Sequence, residues 1–335
     1  TAYEIVDCEW ISDVCSSDMA DVPSNKIIER KRHSGLVDLL IRLVKEKPLG
    51  TVGGIITIIL LLTGIFAPWL APYSPTALSG TRLLPPSAHF WLGTDDLGRD
   101  LLSRIIFGAR ISVVVGLGAS IIASIIETVL GILTGYIGGT FDLIIQRFVD
   151  AVMCFPGLIL MMVIISVIGP GELQVILVLG ISWGITGSRV IRGTTLTIKE
   201  NMYVQSATAL GAPTSKILTR HILPNITALI IIQFTIRVPQ IILTEASLSF
   251  LGYGIPPPAP SWGAMLSGTA RSYMFIAPLM VIWPGLALSI VVYGVNMFGD
   301  ALRDLLDPRL RGGIGRYGLK VKKPVKLKGE PDVNI

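Results

Sequence analysis

The stretch MFIAPLMVIWPGLALSIVVYGVNMFG, residues 274–299, holds 26 residues and no charged side chain. A helix needs about 20 largely apolar residues to cross the hydrocarbon core of a bilayer, so this stretch is long enough to span a membrane. Of the 335 residues in the chain, 51% are hydrophobic and only 15% are charged, whereas soluble proteins carry about 25% charged residues. The composition therefore excludes an ordinary soluble protein.

Five more apolar runs precede this stretch, and together they predict an all-α, polytopic membrane protein with six transmembrane helices. Four charged side chains interrupt these runs: Glu127, Asp150, Arg237 and Glu245. The six predicted spans are residues 49–70, 111–137, 148–168, 173–188, 225–251 and 274–299. We expect residues 111–299 to form a core of five helices, with 19–48 as an N-terminal segment, 71–110 as an outer loop and 300–335 as a basic tail.

Six spans place both termini on one side of the membrane, and the distribution of basic residues predicts which side. If both termini are cytoplasmic, 22 of the 28 Lys and Arg residues lie inside and five lie outside. Positive charge is enriched in cytoplasmic loops. Both termini and the loop 189–224 are therefore predicted to be cytoplasmic. The tail, rich in lysine, is expected to attract lipid and not to bind nucleic acid.

The first 18 residues differ from the rest of the chain. They contain five acidic residues, no Lys or Arg, and two of the three cysteines, Cys8 and Cys15. We expect Met19 to be the natural start and residues 1–18 to be a non-native or disordered leader.

The first outer loop ends in a run of charged residues. Their spacing predicts a charged helix face that is either a solvated amphipathic helix, with Asp100 paired to Arg104, or a contact surface for an external partner. The run comprises Asp95, Asp96, Arg99, Asp100, Arg104 and Arg110. The second outer loop contains Trp262 and prolines at 256–260. It is expected to be either a docking rim for an external binding protein or a simple connector.

The loop between the fourth and fifth predicted spans reads RVIRGTTLTIKENMYVQSATALGAPTSKILTRHILPN, residues 189–225. Its pattern predicts two short helices broken at residues 211–213. A short helix at the inner face of the membrane has a shape that can fit a groove in a soluble partner. A loop that only tethers two spans would not need helices of its own.

This loop resembles the shared motif of the permease subunits of binding-protein-dependent ABC importers. That motif is Glu-Ala-Ala, three residues, Gly, nine residues, Ile, one residue and Leu-Pro. His221 stands at the Ile position. The motif positions, which the resemblance implies contact an ATPase, are Gln205, Ser206, Ala207, Gly211, Leu223 and Pro224.

Four further blocks narrow the resemblance to the C-type permease of the dipeptide, oligopeptide and nickel branch. They are residues 93–104, 135–160, 244–266 and 299–311, and the resemblance covers about residues 35 to 315. It implies the type I ABC importer permease fold in a bacterial or archaeal inner membrane. It also implies four kinds of partner: a homologous B-type permease, two cytoplasmic ATPases, an extracytoplasmic solute-binding protein and the bilayer.

The chain contains no GxxxxGK[ST] phosphate loop, so ATP and Mg²⁺ are expected on the ATPase subunits and no cofactor on this chain. No metal-ligand spacing or catalytic set of side chains is found either, so we predict a transport subunit and not an enzyme. Arg237 and Glu245 are candidates for lining a pathway, since charges inside a membrane usually face a cavity or a partner. Ion pairing between helices is the structural alternative for both.

The predicted function is import of di- or oligopeptides by an ATP-driven complex. Nickel chelates or glutathione-like peptides are alternative substrates for the same fold. From other classes, an ion-driven secondary transporter would show inverted repeats, and an intramembrane enzyme would need a nucleophile and a base at one depth. No convincing repeat relates the first three spans to the last three.

Overall fold

The computed structural model describes residues 35–268 and 272–306 of the chain. The predicted leader, Cys8, Cys15 and most of the predicted basic tail lie outside the described residues. The helices α1 to α11 are, in order, Gly35–Glu46, Pro48–Leu70, Leu101–Ile137, Gly139–Met153, Gly157–Ile168, Glu172–Lys199, Met202–Ala209, Thr214–Ile217, Leu223–Phe250, Trp262–Leu266 and Leu279–Leu306, with a π-helical turn Leu218–Ile222 between α8 and α9.

The prediction of an all-helical membrane protein is confirmed. Within the described residues there is no strand, only an isolated bridge between Thr94 and Asp100. Five helical segments are long and apolar enough to cross a bilayer, and a bent pair of helices supplies a sixth if it is counted as one span. The five are Pro48–Leu70, Leu101–Ile137, Glu172–Lys199, Thr214–Phe250 and Leu279–Leu306.

Residues 148–168, the third predicted span, do not form one straight helix. The chain bends by 91° between α4 and α5, and Pro156 is the residue that precedes α5. The 12 residues of α5 extend about 18 Å, which is shorter than the roughly 30 Å of the hydrocarbon core. Because α4 carries Asp142, Arg147 and Asp150, it could not continue α5 through lipid without exposing charge to it.

Helices α3 and α6 run parallel and pack very closely along a row of small residues. A Cβ atom added to Gly180 would lie 3.1 Å from the carbonyl oxygen of Ala119, and one added to Gly131 would lie 2.7 Å from that of Ser188. Gly135, near the end of α3, faces Thr195, near the end of α6. The chain must return along the bundle between two parallel helices, and α5 therefore runs in the direction opposite to α3 and α6.

The other long helices alternate in direction around this pair. Gly50 at the start of α2 packs against Ala301 near the end of α11, and Gly53 packs against Gly294, so these two helices are antiparallel. Lys47 and Asp304 form an ion pair of 2.5 Å at the same end. The start of α2, the ends of α3, α6 and α11, and the start of α9 therefore share one end of the bundle with residues 200–222. We call it the loop end.

Three helices extend beyond their predicted spans. Helix α3 begins at Leu101 instead of residue 111, α6 continues to Lys199 instead of ending at 188, and α11, which begins at Leu279 instead of 274, continues to Leu306 instead of ending at 299. Composition marks only the part of a helix that lies in lipid, and the helical hydrogen bonds continue where the chain enters water.

Candidate functional site

The candidate site is residues 200–222, which we call the coupling segment. It contains the two short helices that the sequence predicted, α7 and α8, and that prediction is confirmed. Gly211 has φ +75, a conformation that glycine adopts without steric cost. The amide of Ala212 donates to the carbonyl of Ala207 at 3.1 Å, which closes α7 with a turn of the kind that ends helices at glycine.

The coupling segment is fixed to the bundle by an apolar cluster at the loop end. Val204 of α7, Ile217 of α8 and Ile222 of the π-helical turn are each at most 1% exposed. They pack in a cluster with residues from the ends of α3 and α6 and the start of α9, namely Ile132, Ile191, Ile198 and Ile226. A displacement of the segment must therefore move the ends of these helices as well.

Lys199 ties the end of α6 to the end of α3. Its ammonium donates to the carbonyl oxygen of Tyr136 at 2.6 Å and lies 5.4 Å from the centre of the Tyr136 ring. A cation over an aromatic face is attracted by the ring quadrupole. The two parallel helices are thus joined directly below the coupling segment.

The outer side of the segment presents large apolar side chains to its surroundings. Met202, the first residue of α7, is 84% exposed, and Leu210, after the last turn, is 88% exposed. A groove of about 570 Å³, lined by Tyr136, Lys199 and Gln205 among others, separates α7 from the ends of α3 and α6. Helix α7 therefore stands away from the bundle with both its ends uncovered.

The motif residues lie on or beside this exposed side. The Gln205 side chain donates to the carbonyl of Glu200 at 3.0 Å, and the Ser206 hydroxyl donates to that of Met202 at 2.8 Å. Ala207 is half-buried, and Gly211, Leu223 and Pro224 are exposed. Gln205, at the position where the family motif has Glu, thus bonds to local backbone. That these residues contact an ATPase stays a prediction.

Arg237 and Glu245 are both buried inside the chain. Arg237 is 6% exposed and its guanidinium pairs with Glu127 at 2.8 Å, while Glu245 is 1% exposed. Glu245 accepts a hydrogen bond from the hydroxyl of Ser249 at 2.7 Å. For Arg237, the ion pairing between helices that the sequence left as an alternative is present. A role for either residue in lining the pathway stays a prediction.

The charged run of the first outer loop is not a solvated helix face. Asp95 precedes α3 and is 3% exposed, and its carboxylate binds Arg99 at 2.6 Å and Arg104 at 3.4 Å. Asp100 caps α3 by accepting from the amide of Ser103 at 2.8 Å. The predicted pairing of Asp100 with Arg104 is therefore wrong, because each side chain has found a closer partner within the folded loop.

Trp262 is also more buried than a residue on a docking rim would be. It is 2% exposed, and its indole nitrogen donates to the carbonyl oxygen of Ile105 at 3.0 Å. Gly108 leaves the space for the ring, since a Cβ there would lie 2.6 Å from it. Trp262 thus fixes the second outer loop to the start of α3.

Two ion pairs near the loop end of the bundle were not predicted from the sequence. Arg192 of α6 binds Asp142 of α4 through two parallel hydrogen bonds, at 2.6 and 2.5 Å, and Arg189 pairs with Asp150. Arg147 also lies 3.9 Å from Asp150, as a local pair within α4. In the sequence, these pairs could have been expected because isolated acidic and basic residues lie near the same membrane boundary.

Comparison with known proteins identifies the family. The sequence profile described as "Binding-protein-dependent transport system inner membrane component" matches residues 127–312, more than half of the chain. The chain belongs to this family of transport permeases. A second profile, "N-terminal TM domain of oligopeptide transport permease C", matches residues 38–86 of this permease.

Curated relatives cover most of the permease. The glutathione transport system permease protein GsiD of Pectobacterium atrosepticum is 42% identical over 261 residues, which are 77% of this chain and 86% of the relative. The GsiD proteins of Escherichia coli O6:K15:H31 and Shigella boydii are each 40% identical over 273 residues, 81% of this chain and 90% of the relative.

These matches settle the general function. This permease is a multi-pass inner-membrane subunit of an ABC importer. Its family works together with other permease and ATPase subunits and a binding protein. The predicted family, membrane location and importer function are confirmed at this level.

Proposed function

We propose that this permease carries small peptides into the cell, with glutathione-like peptides as the leading class. Supporting this choice are relatives at 40–42% identity whose names say that they serve glutathione transport, and the match to an oligopeptide permease profile. Di- and oligopeptides share the free ammonium and carboxylate of such substrates and form the wider class.

The loop end of the bundle faces the cytoplasm in this proposal. The excess of basic residues at the start of α2, in the coupling segment and after α11 supports this orientation. A homologous permease completes the pathway, a solute-binding protein delivers the substrate at the opposite end, and two ATPases bind ATP and Mg²⁺ below the loop end.

The coupling segment is the part that engages an ATPase. One observation carries this proposal: α7 stands off the bundle and ends in two apolar side chains, Met202 and Leu210, that are more than 80% exposed beside a polar helix face. Tyr203 beside Met202 is also 44% exposed, and large side chains exposed together as an apolar patch in an aqueous region mark sites of protein contact. An amphipathic helix fits a groove through such anchors, and its movement would pass to α6 and α9 as rigid bodies.

Substitution of one anchor tests this role. In the complete transporter, Leu210→Asp is expected to reduce co-purification of the ATPase and ATP-dependent uptake, because a carboxylate cannot be buried in an apolar groove. The matched control for co-purification of the ATPase is Leu78→Asp, since Leu78 is 73% exposed at the opposite end. Normal ATPase binding and uptake by Leu210→Asp would remove the coupling proposal.

Substrate class is tested by uptake in cells that lack other glutathione importers and express the complete transporter. We expect saturable uptake of labelled glutathione, competition by a dipeptide and no effect of a nickel chelate. Uptake should disappear when the ATPases carry a substitution in their phosphate-binding loop. Uptake that survives this substitution and stops on collapse of the ion gradient would instead establish a secondary transporter.

A further inference from the structure

Arg237 connects three helices in the middle of the bundle. Its Nη2 atom lies 2.8 Å from the carboxylate of Glu127 on α3, and its Nη1 atom donates to the carbonyl of Trp183 on α6 at 3.0 Å. Arg237 itself belongs to α9, and its guanidinium lies 5.3 Å from the centre of the Trp183 ring. One side chain therefore bonds to two neighbouring helices through different nitrogen atoms.

The pair is enclosed and incompletely satisfied. Glu127 is 0% exposed, and in the described part of the chain neither of its carboxylate oxygens nor the Nε of Arg237 has a hydrogen bond of good geometry, although Oε2 lies within ion-pair distance of Arg237. A buried ion pair is weak evidence for stability, because desolvation of the charges offsets their attraction. Stability alone therefore does not account for this arrangement, and a function in positioning the helices is a better explanation.

Helix α6 passes in close contact with the Arg237–Glu127 pair. A Cβ atom on Gly187 would overlap both Arg237 Nη2 and Glu127 Oε2. These two atoms are the far ends of flexible side chains, so a methyl group at this position would separate the charges without displacing backbone. The ion pair between Arg237 and Glu127 therefore requires a residue without a side chain at position 187.

Arg237 lies on one of the two helices that are directly joined to the coupling segment. The segment is covalently joined to α6 and α9 only. At a rise of 1.5 Å per residue, the distance along α6 from Gly187 to its end at Lys199 is about 18 Å, and the distance along α9 from its start at Leu223 to Arg237 is about 21 Å. Helix α3 contacts the segment through Ile132 of the apolar cluster at the loop end, and at the depth of Arg237 this side chain adds a polar connection from α9 to both α3 and α6.

We propose that Arg237, through Glu127 and the carbonyl of Trp183, is a positioning residue that makes α3, α6 and α9 move as one body when the coupling segment is displaced. This inference rests on the proposed role of the segment in coupling. Without the connection, α9 slides along α3 and α6, and ATP hydrolysis continues with less substrate transported per ATP.

Gly187→Ala tests this inference, with Gly193→Ala as its matched control. Both glycines lie on α6, but a Cβ on Gly193 meets nothing within 4 Å. The measurement is the number of labelled glutathione molecules transported per ATP hydrolysed by purified complexes in liposomes. We expect Gly187→Ala to lower this ratio about threefold, because loss of an average interhelical polar contact in a membrane, about 0.6 kcal/mol, lowers the equilibrium constant for the connected arrangement by that factor, and Gly193→Ala to leave it unchanged.

A double variant separates coupling from folding. Arg237→Met with Glu127→Met removes both charges together, and replacement of a buried ion pair by apolar side chains is often neutral for stability. We expect normal amounts of assembled complex, normal ATP hydrolysis and a lowered transport ratio. A purely structural role predicts instead that the double variant restores the ratio to normal.

The outcomes distinguish this inference from the proposed function. A normal ratio in Gly187→Ala, or in the double variant, would overturn the role of Arg237 and leave the coupling segment untouched. A normal ratio in Leu210→Asp would overturn the coupling proposal itself. A lowered ratio in Gly187→Ala with a normal ratio in Gly193→Ala supports the inference.

Discussion

Gly184 of α6 lies so close to Ala123 of α3 that a Cβ atom on the glycine would be 3.0 Å from the carbonyl oxygen of the alanine. The same Cβ would lie 2.7 Å from the Cβ of Ile126, an atom that cannot move without its backbone. The two helices that end below the coupling segment are therefore packed backbone to backbone, and their separation is set by residues without side chains.

We expect Gly184→Ala to lower the thermal midpoint of the purified protein, since a crowded helix interface costs about 1–3 kcal/mol. Gly118→Ala is the control in the same interface, because its Cβ would make an ordinary contact of 3.4 Å with Ile176. Equal midpoints for the two variants would contradict this packing.

The folded loop before α3 depends on Asp95. Its carboxylate accepts from the amides of Leu97 and Arg99, each at 2.9 Å, and from the Arg99 side chain. In Asp95→Asn an amide group would replace one oxygen, and it cannot accept from both arginines. The loss of hydrogen bonds to a charged group costs about 1.5–3 kcal/mol, so we expect faster proteolysis between residues 71 and 100.

Asp96→Asn is the control for this experiment. Asp96 lies 4.0 Å from Arg99 and is more exposed than Asp95, so its replacement should leave the rate of cleavage unchanged. Cleavage that is equally fast in both variants would indicate a general effect of charge and not the network around Asp95.

Helix α4 is held against α6 by Arg192. In Arg192→Gln the two parallel hydrogen bonds to Asp142 are lost, and we expect a lower thermal midpoint, with a cost of about 1 kcal/mol because the pair is partly exposed. Arg147→Gln should have no measurable effect, since Arg147 is 77% exposed and 3.9 Å from Asp150. A larger effect at Arg147 than at Arg192 would be inconsistent with the bend at α5 being stabilised in this way.

The orientation of the bundle can be measured by cysteine labelling. In a variant whose three cysteines are replaced by serine, Leu78→Cys and Ser215→Cys place single thiols at exposed positions at opposite ends. With a membrane-impermeant maleimide, we expect labelling of Leu78→Cys in intact spheroplasts and of Ser215→Cys only after permeabilisation. The reverse pattern would show that the loop end faces outward.

Much of the fold could be predicted from composition, because the hydrophobic effect acts on each residue locally. Runs such as 274–299 must avoid water wherever they are placed, and the corresponding helix Leu279–Leu306 is present. Local conformation at Gly211 could also be predicted, since glycine and proline break helices through their own backbone geometry.

The partners of the charged residues could not be predicted in this way. Spacing along one helix suggested Asp100 with Arg104, but the contact joins Arg104 to Asp95. Ion pairing between helices was an alternative for Arg237, but its partner, Glu127, was not predicted. A charge in a low-dielectric interior pairs with whatever opposite charge the packing brings within about 3 to 4 Å, and sequence distance does not measure that proximity.

The sequence by itself determined that this chain is a helical membrane permease with an exposed, helix-containing loop, because those properties follow from local composition and from a motif of fixed spacing. Only the tertiary structure decided that α4 turns away from α5, that α3 and α6 run in parallel contact, and that Arg237 bonds to both. These features depend on which helix faces meet, and close approach at glycines fixes that in three dimensions.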